Sequence, residues 1–410
     1  MVKKYSFNKQ DIRVLLLEGI HQSAVKYFND QGYTQVEYFK GALDEQELED
    51  KIKDVHIIGI RSRTNLTAGV LRKAKKLFAI GCFSIGTNQV DLQAAKHQGI
   101  PVFNAPFSNT RSVAELVIAE IIMLMREVPA KSAAAHRGDW LKLSSNSFEV
   151  RDKNIGIIGY GHIGSQVSIL AEALGMNVYY YDIDKKLSLG KATACSSLAE
   201  LLKIADVVTL HVPETDFTRN MISKAELDQM KKGSILVNAS RCTVVDYNSV
   251  ADALRNQHLA GVAADVFPVE PASASEKFHS VLQGFDNAIL TPHIGGNTLE
   301  AQENIGMEVA EKLIRYSDNG STIGAVNFPQ ISLQPNLDKQ RYLHIHQNMP
   351  GLLKEINNVF TGKDINIVSQ FLQTDPEIGY VIIDTDNQAV ENILALLKVI
   401  PHTIRARMLY

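Results

Sequence analysis

Cysteine is scarce in this sequence. Its three cysteines, Cys82, Cys195 and Cys242, lie far apart in 410 residues, and no CxxC spacing occurs. A disulfide framework would need an even number of cysteines, and a cysteine zinc site would need clustered ligands. We therefore expect no disulfide and no metal, and reduced thiols in the cytoplasm fit this usage best.

Excess charge and long apolar runs are also missing. The 42 basic and 45 acidic side chains leave a formal net charge of −3, which gives no case for binding nucleic acid or an anionic membrane. The amino terminus lacks an apolar run long enough for a signal peptide. The most apolar stretch, residues 115–125, carries Glu115 and Glu120 and is too short to span a bilayer. We expect a soluble, cytoplasmic protein.

The composition is that of a globular protein, with 45% hydrophobic and 21% charged residues. A chain of this length predicts two or three domains. From "VLLLEGI" onward, short apolar runs alternate with helical patterns, which indicates βαβ units and a parallel sheet. A long helix follows, and the spacing of Ser112 and Glu115 predicts a capping box at its start. A second series of buried parallel strands opens at residue 154.

The composition and hydrophobic pattern of the sequence change near residue 330. The stretch "FPQISLQPNLDKQ" has two prolines and no period, and is typical of a linker. Beyond it the order strand, helix, strand, strand, helix, strand predicts a small ferredoxin-like βαββαβ module.

The most specific local signal is "NIGIIGYGHIGSQV". Gly159, Gly161 and Gly164 follow a predicted strand and open a predicted helix, as in loops that bind a dinucleotide pyrophosphate. Asp182 closes the next strand, where a carboxylate can bond the ribose hydroxyls and repel a 2′-phosphate. This pattern favours NAD over NADP, although Lys185 and Lys186 nearby leave NADP open.

Three polar side chains follow three consecutive strands of this second series. Arg241 lies in "NASRCTVVD", Glu270 in "DVFPVEP", and His293 in "TPHIGG", between Pro292 and two glycines. The carboxyl ends of parallel strands meet at one edge of the sheet. A carboxylate against the imidazole would fix its tautomer and raise its pKa, while a guanidinium could hold a substrate carboxylate. Each charge taken alone is more commonly a solvated loop residue.

Another cluster follows the strand "VHIIGI". Arg61, Ser62 and Arg63 place two guanidiniums and a hydroxyl at one strand end, which would suit a phosphate or carboxylate. A solvated basic turn is the commoner explanation of such a sequence. In the carboxyl-terminal module, His344, His346 and Asn348 alternate and share one face of a strand. Metal binding by the two histidines lacks a third ligand, and solvated residues are the commoner alternative.

The motifs "SNTRSVAEL", "GYGHIG", "NASRCTVVD", "DVFPVEP" and "TPHIGG", in this order, resemble the D-2-hydroxyacid dehydrogenase family. With the carboxyl-terminal extension, the whole chain is similar to the bacterial phosphoglycerate dehydrogenases of that family, which end in an ACT domain. The resemblance implies a Rossmann-type nucleotide domain (109–295) inserted in a flavodoxin-like α/β substrate domain (1–108 and 296–335), followed by a ferredoxin-like ACT domain (336–410).

The same resemblance implies roles for named residues. Arg241 would bind the substrate carboxylate, Glu270 would orient the histidine, and His293 would carry the proton. Implied NAD contacts are Gly159, Tyr160, Gly161, His162, Ile163, Gly164, Asp182, His211, Ala239, Ser240, Arg241, Asp265, His293, Gly295 and Gly296. Implied substrate contacts are Lys40, Arg61, Ser62, Arg63 and Asn109, with Lys142, close to Trp140, serving a neighbouring subunit. His346, Asn348 and Asn366 would bind L-serine as an effector between subunits of a homotetramer.

The implied reaction is the NAD-dependent oxidation of 3-phosphoglycerate to 3-phosphohydroxypyruvate, the first step of L-serine biosynthesis, with inhibition by serine. The same groups could reduce 2-oxo acids such as 2-oxoglutarate. Two alternatives stay open: a dehydrogenase of another D-2-hydroxy acid, and a non-catalytic NAD(H)-sensing protein like the corepressors that share this fold. Two departures from the family pattern bear on this. Cys242 stands where a glycine normally follows the arginine, and the linker lacks paired glycines.

Overall fold

The first sheet lies in the amino-terminal part of the chain. The computed structural model describes residues 7–271, 276–334, 339–386 and 392–409. The chain forms two compact units. The first unit comprises Met1–Ser108 and Gln302–Tyr410, and the second comprises Asn109–Ala301. The first elements are β1 (Arg13–Leu16), α1 (Gln22–Asp30), β2 (Gln35–Tyr38), α2 (Glu45–Lys51), β3 (Ile57–Ile60), α3 (Ala68–Lys73), β4 (Ala79–Cys82), α4 (Leu92–His97) and β5 (Val102–Phe103). The parallel order β2-β1-β3-β4-β5 is the flavodoxin-like order, which confirms that prediction.

The second unit contains a larger parallel sheet. Its elements are α5 (Thr110–Met125), α6 (Val128–His136), β6 (Asn154–Ile158), α7 (His162–Ala173), β7 (Asn177–Tyr181), β8 (Thr193–Ala194), α8 (Leu198–Ile204), β9 (Val207–Leu210), α9 (Lys224–Leu227), β10 (Ser234–Asn238), α10 (Tyr247–Arg255), β11 (Leu259–Ala264) and β12 (Ala288–Leu290). The order β12-β11-β10-β9-β6-β7-β8 contains the doubly wound arrangement of a Rossmann-type domain, as predicted.

The predicted capping box at Ser112 is wrong. Helix α5 begins at Thr110, after Asn109, so Ser112 lies inside the first turn. Its hydroxyl donates to the Gly295 carbonyl at 2.6 Å, and Glu115 accepts a hydrogen bond from Arg111. The sequence spacing is typical of a helix cap, but the Ser112 hydroxyl donates its hydrogen bond to a distant loop instead of capping the helix.

The carboxyl-terminal elements are α11 (Leu299–Asn319), β13 (Gln340–Gln347), α12 (Leu352–Thr361), β14 (Ile367–Thr374), β15 (Ile378–Thr385), α13 (Ile393–Val399) and β16 (Thr403–Leu409). The antiparallel order β14-β15-β13-β16 confirms the ferredoxin-like prediction. The predicted boundary between residues 335 and 336, and the predicted start of the last helix near residue 389, lie outside the described residues.

One hydrophobic core joins the first sheet, α11 and the carboxyl-terminal sheet. Phe103, Tyr316, Leu343 and Tyr380 all belong to this core and are fully buried. In β4, a Cβ on Gly81 would lie 2.7 Å from side-chain atoms of α11, so a glycine lets helix and sheet pack closely. Within the described ranges no helix has the length and apolar content needed to cross a bilayer.

Candidate active site

The glycine loop between β6 and α7 has the geometry of a pyrophosphate cradle. Gly159 has φ of +91°, and a Cβ there would lie 2.5 Å from the His211 carbonyl oxygen. A Cβ on Gly164 would overlap the Gly159 carbonyl, so helix and loop touch only because residue 164 is a glycine. A Cβ on Gly161 would meet no atom within 4 Å. The open space at Gly161, at the amino terminus of α7, fits the phosphates of NAD.

Asp182 lies beside this loop, at the end of β7. Its Oδ2 accepts the Tyr160 amide at 2.8 Å, and its Oδ1 accepts the Asp184 amide at 2.9 Å. Lys186 lies 3.2 Å from Asp184 and 4.0 Å from Asp182, so its charge is balanced by carboxylates and is poorly placed to attract a 2′-phosphate. These contacts fit NAD better than NADP.

Glu270 and His293 meet at the ends of adjacent strands. Nδ1 of His293 lies 2.9 Å from Oε2 of Glu270, and Oε1 of Glu270 accepts the Phe267 amide at 3.1 Å. The hydrogen bond to Glu270 raises the pKa of His293, although burial opposes the shift. Burial alone would raise the pKa of Glu270, but the hydrogen bond and charge of His293 outweigh it and hold that pKa low. With Nδ1 bonded to the carboxylate, Nε2 is the nitrogen left to exchange a proton.

Arg241 follows β10, next to β11 in the sheet. Its charge contributes to the low pKa of Glu270 and opposes the rise in the pKa of His293 that Glu270 causes. Asn238 fixes the loop: its amide donates to the Arg241 carbonyl and to the Tyr247 hydroxyl, each at 3.0 Å. The structure thus brings three predicted residues to one sheet edge.

Cys242 fits this loop without backbone strain. It begins a 3-10 helix, Cys242–Val244, and it is not among the residues with positive φ. The position therefore tolerates a side chain in place of the family glycine. Burial raises the pKa of the Cys242 thiol, which keeps it protonated at neutral pH.

Asp265 supports the loop that carries His293. Its Oδ1 accepts the Thr291 hydroxyl at 2.7 Å and the Ile294 amide at 2.8 Å, and its Oδ2 accepts the Gly295 amide at 2.8 Å. His293 itself has φ of +54°. The carboxylate therefore holds a side chain before the histidine and two backbone amides after it, around a residue in the left-handed region. A contact of Asp265 with the cofactor stays a prediction.

Gly295 and Gly296 are required for space and not for a positive φ, which neither has. A Cβ on Gly295 would lie 2.9 Å from Oδ2 of Asp265, and one on Gly296 would overlap the side-chain amide of Asn109. Asn109 is buried at the start of α5, and its Oδ1 has no hydrogen-bond partner among the described residues.

The remaining predicted cofactor residues surround the same sheet edge. His211 follows β9; its Nε2 lies 3.0 Å from the Thr209 hydroxyl, and burial lowers its pKa to about 3, so the imidazole is neutral. Ser240 donates through its amide and hydroxyl to Asn238, at 3.1 and 2.8 Å. Ala239 precedes it, and His162 and Ile163 are the first residues of α7.

The basic cluster lies in the other unit, at the carboxyl edge of the first sheet. Glu18, after β1, accepts the amides of Arg61 at 3.1 Å, Arg63 at 2.9 Å and Thr64 at 2.9 Å. The Glu18 amide in turn donates to the Gly41 carbonyl at 3.0 Å. The Glu18 carboxylate thus fixes the segment Arg61–Arg63, and its backbone amide bonds the residue after Lys40, at the ends of adjacent strands β3, β1 and β2. Burial lowers the pKa of Arg61, as expected where a guanidinium lacks full hydration.

Lys142 belongs to an exposed segment of the second unit. It follows Trp140, whose side chain is 84% exposed. The intrachain contacts do not place Lys142 in a site, and its role toward a neighbouring subunit stays a prediction.

The predicted effector residues lie in the carboxyl-terminal sheet. His344 and His346 are buried with their Nδ1 atoms 3.2 Å apart, so the alternative of solvated side chains is wrong. Burial lowers the pKa of each to about 4. Asn348 donates to the Asp375 carbonyl at 2.7 Å, and Asn366 donates to Asp386 at 3.0 Å. No group of three candidate metal ligands occurs in the described part of the chain.

Known proteins resemble this chain along its whole length. The profile of the D-isomer specific 2-hydroxyacid dehydrogenase NAD binding domain matches residues 118–295, and that of the AHAS small subunit-like ACT domain matches residues 343–405. D-3-phosphoglycerate dehydrogenase of Haemophilus influenzae is 58% identical, covering 100% of both chains. Its Escherichia coli counterpart is 58% identical over 99% of this chain and 100% of its own. The D-lactate dehydrogenase structure of Aquifex aeolicus, complexed with NAD and lactic acid, matches 78% of this chain and 100% of its own, with a TM-score of 0.69 and 27% identity.

Proposed function

Because the chain belongs to the D-isomer specific 2-hydroxyacid dehydrogenase family, we propose that it oxidises 3-phosphoglycerate to 3-phosphohydroxypyruvate with NAD, the first step of L-serine biosynthesis. The observation that carries this proposal is the His293–Glu270 pair, 2.9 Å apart at the strand edge that also holds the glycine loop. Full-length similarity to D-3-phosphoglycerate dehydrogenases supports the choice of substrate.

The side chains divide the work as follows. Nε2 of neutral His293 accepts the proton of the C2 hydroxyl, and Glu270 stabilises the imidazolium that forms. Arg241 binds the carboxylate, and its charge stabilises negative charge on the C2 oxygen as the proton leaves. NAD, when bound, would accept the hydride from C2. Gly159, Gly161, Gly164 and Asp182 would hold this cofactor. The reverse reaction returns the proton from His293, and reduction of 2-oxo acids such as 2-oxoglutarate would use the same groups.

We assign the phosphate of the substrate to the cluster of Lys40, Arg61, Ser62 and Arg63, with Asn109 and a neighbouring subunit's Lys142 completing the site. The shared anchoring at Glu18 supports a preformed anion site. Residues 1–108 and 296–335 would form the substrate domain, 109–295 the NAD domain, and 336–410 the regulatory ACT domain. We further propose a cytoplasmic homotetramer that binds L-serine at His346, Asn348 and Asn366.

Turnover tests the activity. The appearance of reduced NAD should be followed with 3-phosphoglycerate, D-glycerate and D-lactate, for the wild type and for Arg61→Ala. We expect the variant to lose roughly 1.5–3 kcal/mol of transition-state binding for 3-phosphoglycerate only, because a charged hydrogen bond to phosphate disappears. Arg13→Ala, at the opposite edge of the same sheet, is the matched control. Equal losses on all three substrates would favour another D-2-hydroxy acid, and no turnover would favour an NAD(H)-sensing protein.

A further inference from the structure

Glu120 is a buried carboxyl group beneath the loop that carries His293. It lies on α5 and is 0% exposed, close to the equally buried Asp265. Its Oε1 is 3.4 Å from the Thr291 hydroxyl, and its Oε2 has no hydrogen-bond partner within the described part of the chain. Burial, and then the charge of Asp265, raise the pKa of Glu120 to about 8. An ionised Glu120 would be an uncompensated buried charge, which is costly.

The hydrogen bonds of Asp265 and Thr291 indicate which of the neighbouring side chains carry protons. Asp265 accepts from the Thr291 hydroxyl and from the amides of Ile294 and Gly295, so it acts as an ionised carboxylate. Thr291 has one hydroxyl proton, and the 2.7 Å contact commits it to Asp265. Toward Glu120 Oε1, 3.4 Å away, the oxygen of Thr291 can then serve only as an acceptor, and Glu120 can donate to it only as a carboxylic acid.

We propose that neutral Glu120 is a positioning residue for the reaction: it donates to Thr291, which donates to Asp265, which holds the backbone amides that follow His293. This chain would fix the loop in its left-handed turn and keep the imidazole against Glu270. The inference rests on the proposed function, because it requires His293 to be the proton carrier. Glu120 touches neither substrate nor cofactor in this proposal.

Two substitutions of similar size separate the hydrogen bond from simple packing. Glu120→Gln keeps a donor toward Thr291, whereas Glu120→Met fills the same space without one. We expect Glu120→Met to lower kcat roughly tenfold with KM for 3-phosphoglycerate and NAD nearly unchanged, because a misplaced proton carrier slows chemistry and not binding. The kcat of Glu120→Gln should stay within about threefold of the wild-type value. Glu115→Met, on the exposed side of the same helix, is the matched control.

Thr291→Val provides a second way to break the chain, should Glu120→Met fail to fold. It should also lower kcat roughly tenfold, and the double variant should lose little more than either single one, because both remove the same chain. Wild-type kcat in Glu120→Met or Thr291→Val, or Glu120→Gln as slow as Glu120→Met, would overturn the proposal.

Infrared difference spectroscopy tests the protonation state without turnover. The difference between the wild type and Glu120→Gln at pH 7 should contain the carbonyl band of a protonated carboxylic acid, and Glu115→Gln should give no such band. Absence of the band in the first comparison would overturn the proposal. If the wild type does not oxidise 3-phosphoglycerate, the proposed function fails, while this measurement still decides the state of Glu120.

Discussion

His293 is held by two carboxylates that act on different parts of the residue. Asp265 accepts the amides of Ile294 and Gly295 and so fixes the backbone, while Glu270 binds Nδ1 and fixes the tautomer. Separate supports of this kind keep a ring nitrogen in one place during proton transfer. The left-handed φ of +54° is therefore a feature that the surrounding contacts maintain.

Replacing Glu270 with Gln should move the pH dependence of oxidation. The carboxylate raises the pKa of His293, and the base must be neutral to accept a proton, so the wild-type rate rises with pH through that raised pKa. Without the carboxylate the pKa of His293 falls, and the rising limb of kcat/KM moves to lower pH. The plateau should drop roughly 10²–10⁴-fold as acid–base catalysis weakens.

The measurement is a pH profile of kcat/KM for oxidation, with Glu300→Gln, in the first turn of α11, as the matched control. A rising limb that stays in place in Glu270→Gln would contradict the coupling between Glu270 and His293.

At the residue scale, local motifs predicted the chemistry, while the supporting residues could not be found from them. Arg241, Glu270 and His293 each follow an apolar run, and Glu270 and His293 also adjoin a proline, which are local signals. Glu18 and Glu120 are isolated acids in apolar surroundings, and their partners lie 43 to 171 residues away in sequence. Such pairs arise only when the sheet brings distant strand ends together.

The glycine loop is the element whose substitutions should differ most clearly. Gly159→Ala requires a side chain at φ of +91° and 2.5 Å from the His211 carbonyl, so we expect a loss of about 2 kcal/mol or more in unfolding free energy. Gly161→Ala meets no protein atom, so its stability should change by less than about 0.5 kcal/mol.

Gly161→Ala should instead weaken NAD binding about tenfold or more, because its methyl group would occupy the space of the pyrophosphate. Denaturant unfolding and titration with NAD measure the two effects on each variant. Equal stability of the two variants, or unchanged NAD affinity in Gly161→Ala, would contradict the assignment of this loop as a pyrophosphate cradle.

The carboxyl-terminal sheet contains an ion pair that should govern its stability. Arg341 binds Asp384 through Nε at 2.6 Å and Nη2 at 2.7 Å, and both side chains are at most 3% exposed. Arg341→Met leaves a buried carboxylate without its guanidinium partner and should cost about 3–5 kcal/mol. Adding Asp384→Leu should restore most of the loss, because the charge is then gone.

Denaturant unfolding of the full chain measures these changes. Lys224→Met removes an exposed ion pair with Asp228 and should change stability by less than about 0.5 kcal/mol. A double variant no more stable than Arg341→Met would show that the charge of Asp384 does not cause the loss of unfolding free energy.

At the scale of helices and strands, the sequence was most informative where burial is complete. Strands β3 and β10 are buried throughout and read as continuous apolar runs. Strand β2 and helix α2 were not predicted, since β2 alternates exposed and half-buried residues and α2 buries only Leu48. For His344 the sequence pattern favours a solvated side chain over a metal ligand, because the sequence does not reveal that β13 lies between β15 and β16.

At the scale of the whole molecule, helix α4 connects the carboxyl-terminal module to the basic cluster. Nζ of Lys96 lies 2.7 Å from Asp375 and 2.6 Å from Glu377, in the turn between β14 and β15. The same turn accepts hydrogen bonds from the side chain and the backbone of Asn348, the predicted serine ligand. Before α4, the Gln89 side chain donates to the Arg61 carbonyl. A shift of the turn can therefore reach the cluster through one short helix.

Lys96→Met should uncouple serine from catalysis. Its removal leaves only the 3.6 Å contact between His97 and Glu377 as an ionic link between α4 and the turn. We therefore expect the serine concentration for half-inhibition to rise several-fold, within the 1–3 kcal/mol typical of allosteric coupling. The rate without serine should stay near that of the wild type, because the charged partners of Lys96 are Asp375 and Glu377, which have no proposed part in the reaction. Serine titrations of initial rates give both quantities. Lys73→Met removes an ion pair with Glu49 in the same unit and should behave as the wild type. Unchanged serine sensitivity in Lys96→Met would mean that the signal does not pass through α4, whereas loss of inhibition in both variants would point to a general loosening of this unit.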